Sequence, residues 1–428
     1  MMDKFIKALK RNAQVSAWSI TEVTKKSREL FYVLDKLETN RATETTDYNV
    51  TIYVDKNKKR GIANFAVYDY MSDKELDEKI SEKVYAASFA MNKFFEIPKK
   101  DDRKLKARKT NLKDRPFAEI MEDLVKAVFA ANVHKNGYLS ATEFFITEWN
   151  ERIVNSNGVD LSSKKYGAQV EIIPSWEKNG EEVEVYHMLN LGSFNAEEVT
   201  AEVDEQLMEA KARFDAVSVP KNKKLKVIIQ DSEVGELLDY FVSELSYRKA
   251  YMKINKFKPG DHVQGKKVTG DLLNIKLAPF YEGAYNSRAF DSDGVVLDET
   301  EIIKDGVAVN RHGSYRFGYY LKEKAPTGVL PVTVVKEGKK TFKEMQKEPY
   351  VRCEKFSGLQ VDASSGYFGG EVRLGFYFDG KKEVPVTGFS VSGDMNKSAS
   401  SLVFSKETVT KPSYHGPKYV EIKDMTVM

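Results

Sequence analysis

Residues 47–80 (DYNVTIYVDKNKKRGIANFAVYDYMSDKELDEKI) and 165–199 (KYGAQVEIIPSWEKNGEEVEVYHMLNLGSFNAEEV) follow one plan. Each has runs rich in β-branched and aromatic residues separated by a polar turn, then an amphipathic helix with a capping residue. A chain that writes this unit twice is constrained to an internal duplication, because either half alone buries only a modest core. SAWSITEV and SRELFYVLDKLET precede the first copy, and YLSATEFFITEWN and RIVNSNG precede the second; all four read as strands. Ser72–Glu75 (SDKE) is a capping box opening a helix predicted through about Phe95, with Leu76, Ile80, Val84, Ala87 and Met91 as its buried stripe. Asn195–Glu198 (NAEE) opens the corresponding helix, predicted through Phe214. Shorter helices are predicted at 4–11 and from Pro116 to Asn132, with 98–114 (PKKDDRKLKARKTNLKD) a charged connector. The amino-terminal domain is therefore 1–216, divided at about 114 and 115.

Residues 217–226 (VSVPKNKKLK) read as a linker to a second domain, 227–428. Beyond its opening strand and helix that domain has short strands, frequent glycines and one weak helix signal at Thr341–Lys347. An all-β sandwich or closed barrel-like sheet buries such strands. The predicted class is α+β: a duplicated β-meander/helix amino-terminal domain, then a β-rich, barrel-like or sandwich carboxyl-terminal domain.

Lys and Arg number 67 against 64 Asp and Glu, interspersed, for a net charge of +3. That balance supplies no electrostatic case for nucleic acid or an anionic membrane. The single cysteine, Cys353, excludes an intrachain disulfide framework and fits a reducing compartment. No apolar run has signal-peptide or membrane-spanning length, so the expected location is the cytoplasm.

Residues 227–247 (VIIQDSEVGELLDYFVSELSY) read as a strand running into a helix. Asp231 or Ser232 is the expected N-cap, and Val234, Leu237, Leu238, Phe241 and Leu245 form the apolar stripe. Spacing leaves two readings of Asp231, Glu233, Glu236 and Asp239 open: ligands for a hard cation, or a solvated helix face. The five histidines are scattered, with no pair at a helical ligand spacing, and His187 reads as a structural histidine on a strand. GDHVQGKK (260–267) has Lys267 where a phosphate-binding loop needs Ser or Thr, and GFSVSG (388–393) has the wrong spacing for a nucleophile elbow. RHGSYRFGYYLK (311–322) interleaves basic and aromatic residues, which alternation along a β-strand explains as well as a nucleic-acid surface does.

Several stretches together resemble the TldD/PmbA family, also known as modulators of DNA gyrase. VNSNGVD (154–160) is similar to its N-S-x-G turn, and FDSDGV (290–295) to its F-D-x-E-G-V segment, followed by Ile303–Val307. Residues 364–395 resemble the segment ending in its I-S-G-N turn. The resemblance implies the following. TldD-type subunits are zinc peptidases with an H-E-x-x-x-H helix; PmbA/TldE-type subunits lack it and pair with TldD to process unfolded peptides. Val234–Gly235 matches a V-G within that motif, which places Asp231 and Glu236 at the histidine positions and Ser232 at the glutamate. Hard carboxylate oxygens replace soft-to-borderline imidazoles, and no general base stands at 232. Ser413–Pro417 lacks the cysteine of the catalytic subunits.

The resemblance thus implies a non-catalytic PmbA/TldE-type subunit with no cofactor of its own, zinc belonging to a TldD-type partner. Asp231, Ser232 and Glu236 are then peptide-binding or vestigial metal-site positions with no catalytic role. The implied partners are a TldD-type catalytic subunit and extended peptides, in a dimer. The alternatives are a stand-alone gyrase-modulator-like binding protein, or a divergent hydrolase using Asp231, Glu236 and a third residue.

Overall fold

The computed structural model describes residues 1–220 and 225–428. The amino-terminal half repeats one order of elements. First come α1 (Met2–Arg11), β1 (Ala17–Val33), β2 (Lys36–Lys56), β3 (Lys59–Val67) and α2 (Asp73–Ala87). Then come α3 (Phe117–Ala130), β5 (Gly137–Asn155), β6 (Asp160–Lys178), β7 (Glu181–Glu184) with β8 (His187–Leu191), and α4 (Ala196–Phe214). A two-residue strand, β4 (Asn92–Lys93), edges the first repeat. The repeats fuse into one antiparallel sheet, β4-β3-β2-β1-β5-β6-β7 with β8 also on β6. Its centre is the β1–β5 pair, in register from Ser19–Asn155 to Val33–Ala141.

Strand alternation decides where the helices go. Ile20, Val50, Ile52, Phe65 and Val67 bury against Phe5 and Leu9 of α1 and Leu76, Ile80 and Val84 of α2. Phe144, Ile146, Val170 and Ile172 do the same against Leu124 and Val128 of α3 and Val203 and Leu207 of α4. Ile20 opposes Val154 and Leu30 opposes Phe144 across the central pair, so all four helices cover the same face.

Three predicted features change. SAWSITEV and SRELFYV are one continuous strand, as are YLSATEFFITEWN and RIVN, because the long central pairing carries them through their polar interiors. The helix from Ser72, whose capping box is formed, ends at Ala87 rather than near Phe95. Phe95 instead turns onto the sheet, its carbonyl accepting from Arg60 Nη1 at 2.6 Å and its ring packing on Tyr53 and Tyr320.

The carboxyl-terminal half is a closed barrel beside an open sheet. β10 (Leu225–Gln230) pairs in parallel with β15 (Tyr350–Val361) and antiparallel with β22 (Tyr419–Val427). From β22 the ring passes to β18 (Phe389–Asp394) and β16 (Tyr367–Phe378), and β16 pairs back onto β15, closing five strands. β17 (Glu383–Thr387) extends the sheet from β16, β9 (Val217–Ser218) pairs with β17, and β19 (Val403–Phe404) pairs with β22. The expected linker thus contributes a strand; its residues 221–224 lie outside the described residues. A second sheet has the order β13 (Val307–Ala308), β12 (Thr300–Lys304), β11 (Ile275–Ala278), β14 (Val332–Val335), β21 (Tyr414–Pro417) and β20 (Thr408–Lys411). Between barrel and sheet lies α5 (Ser232–Glu244), followed by α6 (Tyr247–Met252); α8 (Phe342–Met345), with its own capping box, matches the weak helix signal.

The helix-free face of the amino-terminal sheet receives the carboxyl-terminal half. The two glycine turns singled out in the sequence meet there: Ile153, Val159 and Leu161 pack against Ala289, Phe290 and Val296. Asn155 fixes the first turn by accepting from the N–H groups of Asn157 and Val159 and donating to the Pro98 carbonyl. Asp291 fixes the second by accepting from the N–H groups of Asp293, Val295 and Val329. The connector 98–114 is strapped between them, with Arg103 bonded to Asp298 and to the Val296 carbonyl.

RHGSYRFGYYLK is not a strand. It forms α7 (Tyr315–Leu321), whose Tyr320 donates to the Lys93 carbonyl and packs with Phe95. Its aromatics are taken up by the interface between the halves, which accounts for the pattern without nucleic acid.

Candidate functional site

Helix α5 begins where β10 leaves the barrel. Val234, Leu237, Leu238, Phe241 and Leu245 are fully buried, as their spacing predicts, in a core shared with the barrel and the second sheet. Gly235 lets β21 cross closely: a Cβ there would stand 3.0 Å from the Tyr414 ring. The structure thus brings 231–236 against 413–417. They are far apart in sequence.

Asp231 holds the N-cap position without capping, contrary to the sequence expectation. Its φ of 55° and ψ of −130° turn the carboxylate away from the first helical turn. Its N–H donates to the Lys418 carbonyl at 2.8 Å, and Oδ2 lies 3.8 Å from Lys411 Nζ. Oδ1 is buried without a hydrogen-bond partner. Burial opposes the charge of Lys418, but Asp231 leads the groups that raise its pKa overall. Ser232 is exposed and donates to Glu233 Oε2 at 3.0 Å, so it does not cap either.

Glu236 and Asp239 are solvent-accessible but recessed. Burial, then the charge of Asp239, raises the Glu236 pKa, and burial pushes Asp239 up to about 6. Asp231 is not among the charges that shift Glu236, and the cation beside Asp231 is the Lys411 ammonium. Among the described residues no group of three or more His, Cys, Asp or Glu side chains could hold a metal ion. The three-ligand carboxylate site has no support in this arrangement.

Residues that spacing could not reveal complete the surroundings. His187 pairs with Glu202 of α4 at 3.1 Å, and burial lowers its pKa, keeping the imidazole neutral. Lys355 pairs with Glu209 at 3.2 Å, and Lys418 lies 3.7 Å from Glu205, so α4 of the amino-terminal half faces the barrel mouth with acids met by lysines. Cys353 is fully buried on β15, and burial pushes its thiol far up, the opposite of an activated nucleophile. Strand β20 ends at Lys411 beside Asp231 and pairs on one side only, with β21.

A duplicated sheet clasped to a barrel, with a buried helix leaving the barrel strand at its mouth, places the chain among two-part α+β proteins. Residues 222–428 match the model of the "PmbA/TldA metallopeptidase C-terminal domain". Over those residues the chain is similar to the TldD/PmbA family.

The whole chain also shares the fold of solved structures. TldE from Thermococcus kodakarensis superposes with a TM-score of 0.78 at 14% identity, covering 100% of this chain and 99% of that one. A candidate modulator of a DNA gyrase from Thermotoga maritima MSB8 gives 0.78 at 17%, with 100% of both chains covered. A candidate modulator of DNA gyrase from Bacteroides thetaiotaomicron VPI-5482 gives 0.77 at 15%, covering 100% and 96%. The search of curated proteins returned no match.

Proposed function

We propose that this chain is a non-catalytic PmbA/TldE-type subunit that shapes the peptide chamber of a TldD/TldE-type metallopeptidase, with zinc held only by its TldD-type partner. The observation that carries this reading is the first turn of α5. By the family resemblance Asp231 and Glu236 fall at the two histidine positions of the zinc motif and Ser232 at its glutamate, and Lys411 Nζ lies 3.8 Å from Asp231 Oδ2. Edge strand β20 is suited to take an extended peptide by strand addition beside this turn. Residues 1–216 and 227–428 then act as two units of one cytoplasmic subunit, working as a dimer.

The test is peptide hydrolysis with metal analysis of the purified chain, alone and with a TldD-type subunit. Turnover of unfolded peptides is expected only in the mixture, with zinc only in the partner. Stoichiometric zinc and turnover by this chain alone would sink the proposal. Co-purification with gyrase and no TldD-type subunit would favour the stand-alone modulator reading.

A further inference from the structure

An unassigned cavity of about 620 Å³ lies between the helix-free face of the amino-terminal sheet, the connector and the carboxyl-terminal half. Strand pairing places Trp149 opposite Lys165 and Glu151 opposite Ser163, and all four line it. Arg108 enters from the connector and Arg288 from the loop after β11.

Five cationic side chains line the space with one acid, Glu151; Lys164 is paired with Glu148 and Lys106 is exposed, which leaves Arg108, Lys165 and Arg288. Among the described residues no carboxylate lies in ion-pair contact with Arg108, Lys165 or Arg288. Arg108 Nη1 donates to the Tyr285 carbonyl at 2.9 Å, but Nη2 is buried with no partner. Arg288 Nη2 reaches the Val329 carbonyl at 3.4 Å, while its Nε is also buried and unpartnered. Lys165 Nζ rests over the rings of Tyr285 (4.4 Å) and Trp149 (5.3 Å).

The fold makes room for this convergence. At Gly192 a Cβ would stand 2.0 Å from Arg108 Nη2 and 2.7 Å from the Gly283 carbonyl, so the guanidinium occupies a slot only glycine leaves open. Three cations gathered around a single acid, Glu151, and buried N–H groups without acceptors are each unfavourable. Burial first, then the charges of Arg108 and Arg288, hold the Lys165 pKa down at about 8. Such a set is relieved by an anion, and its oxygens would supply the missing acceptors. Val23, Leu105, Phe280 and Pro331 provide an apolar wall, and the volume falls in the range of small-molecule sites.

We propose that this cavity binds a small organic anion, a carboxylate or phosphate ester with an apolar body, whose charged end is held by Arg108, Lys165 and Arg288. The inference goes beyond the peptidase-subunit reading and stands whether or not a catalytic partner exists. Through Ser413 the cavity adjoins the hairpin whose Lys411 faces Asp231, so occupancy would be felt at the edge of the α5 site.

The test is calorimetry on the full chain, with Trp149 fluorescence as a second signal. Benzoate, N-acetylphenylalanine, phenyl phosphate and inorganic phosphate are the probes; benzylamine and benzyl alcohol are the controls. Saturable binding of benzoate, N-acetylphenylalanine or phenyl phosphate is expected, about tenfold or more tighter than either control. The stronger arm identifies carboxylate or phosphate as the preferred group. Arg108→Gln and Lys165→Gln should each weaken binding about tenfold, and Lys106→Gln, at the exposed rim, less than about twofold. The wild-type chain also provides a test independent of variant folding: the organic anions must compete with one another. Failure of all three to saturate, equal binding of benzyl alcohol, absence of competition, or wild-type affinity in both charge-removing variants would overturn the site. So would binding of inorganic phosphate as tight as that of the organic anions, since the apolar wall would then play no part.

Discussion

Asp231 sits in a backbone conformation that L-residues rarely adopt, and nothing about its cap position requires a carboxylate. Replacing it by glycine relieves that strain, and a partly exposed ion pair contributes only about 0–1 kcal/mol. Asp231→Gly is therefore expected to be more stable than Asp231→Ala by about 1 kcal/mol in urea denaturation. Equal stabilities would show that no strain is stored there. At Gly235 the opposite sign is expected. Alanine gains about 1 kcal/mol of helix propensity, yet its methyl meets a Tyr414 ring held by its own hydroxyl bond to the Pro417 carbonyl. Overpacking of about 1–3 kcal/mol outweighs the gain, so Gly235→Ala should lower the unfolding midpoint. Burial, then the charge of Asp291, pushes Asp293 up to about 6, above its unfolded value near 4. The native state then binds the extra proton, so the Asp293 contribution to stability falls as pH rises from about 4 to about 6 and is constant above. The stability difference between wild type and Asp293→Asn should change across that window, with the variant gaining as pH rises; a pH-independent difference would refute the assignment.

Helix α5 divides cleanly into a buried and an accessible side. Phe241→Ala should cost about 3–5 kcal/mol through the cavity it leaves, whereas Glu236→Gln should stay within about 0.5 kcal/mol. Comparable losses would mean that the acidic face is structural. This stripe was legible because Val234, Leu237, Leu238, Phe241 and Leu245 recur at a spacing that only a helix satisfies. The two copies of the sheet-and-helix unit were legible for the same kind of reason, each helix start being marked by a side chain that caps within three residues. What could not be read depends on partners distant in the chain. Phe95 leaves the helix pattern because Arg60 and Tyr320 claim it, and RHGSYRFGYYLK becomes a helix because Tyr53 and Phe95 wait across the interface. Asp231 was expected to cap, and only the placement of Lys418 and Lys411 shows why it turns away. The cluster of Arg108, Lys165 and Arg288 left no motif at all, since each comes from a different element.

At the scale of the molecule, two turns and a connector hold the halves against each other. The connector is rich in Lys and Arg, yet Arg103 and Arg108 tie it to the Val296 and Tyr285 carbonyls. Limited trypsinolysis of the native chain should therefore spare 98–114, and Arg103→Ala should expose it to cleavage several-fold faster; equal rates would mean the strap does not restrain it. The same joined architecture dictates an order of events during folding. β1 can complete its ladder only when β5 arrives, Ser19 meeting Asn155, and β10 can close its ring only when β22 arrives, Leu225 meeting Met425. Both closures depend on segments made much later, so each half must wait with an unpaired strand edge. During synthesis the nascent chain is consequently most exposed to aggregation between β10 and β22, when α5 and its apolar stripe exist but the barrel that buries them does not.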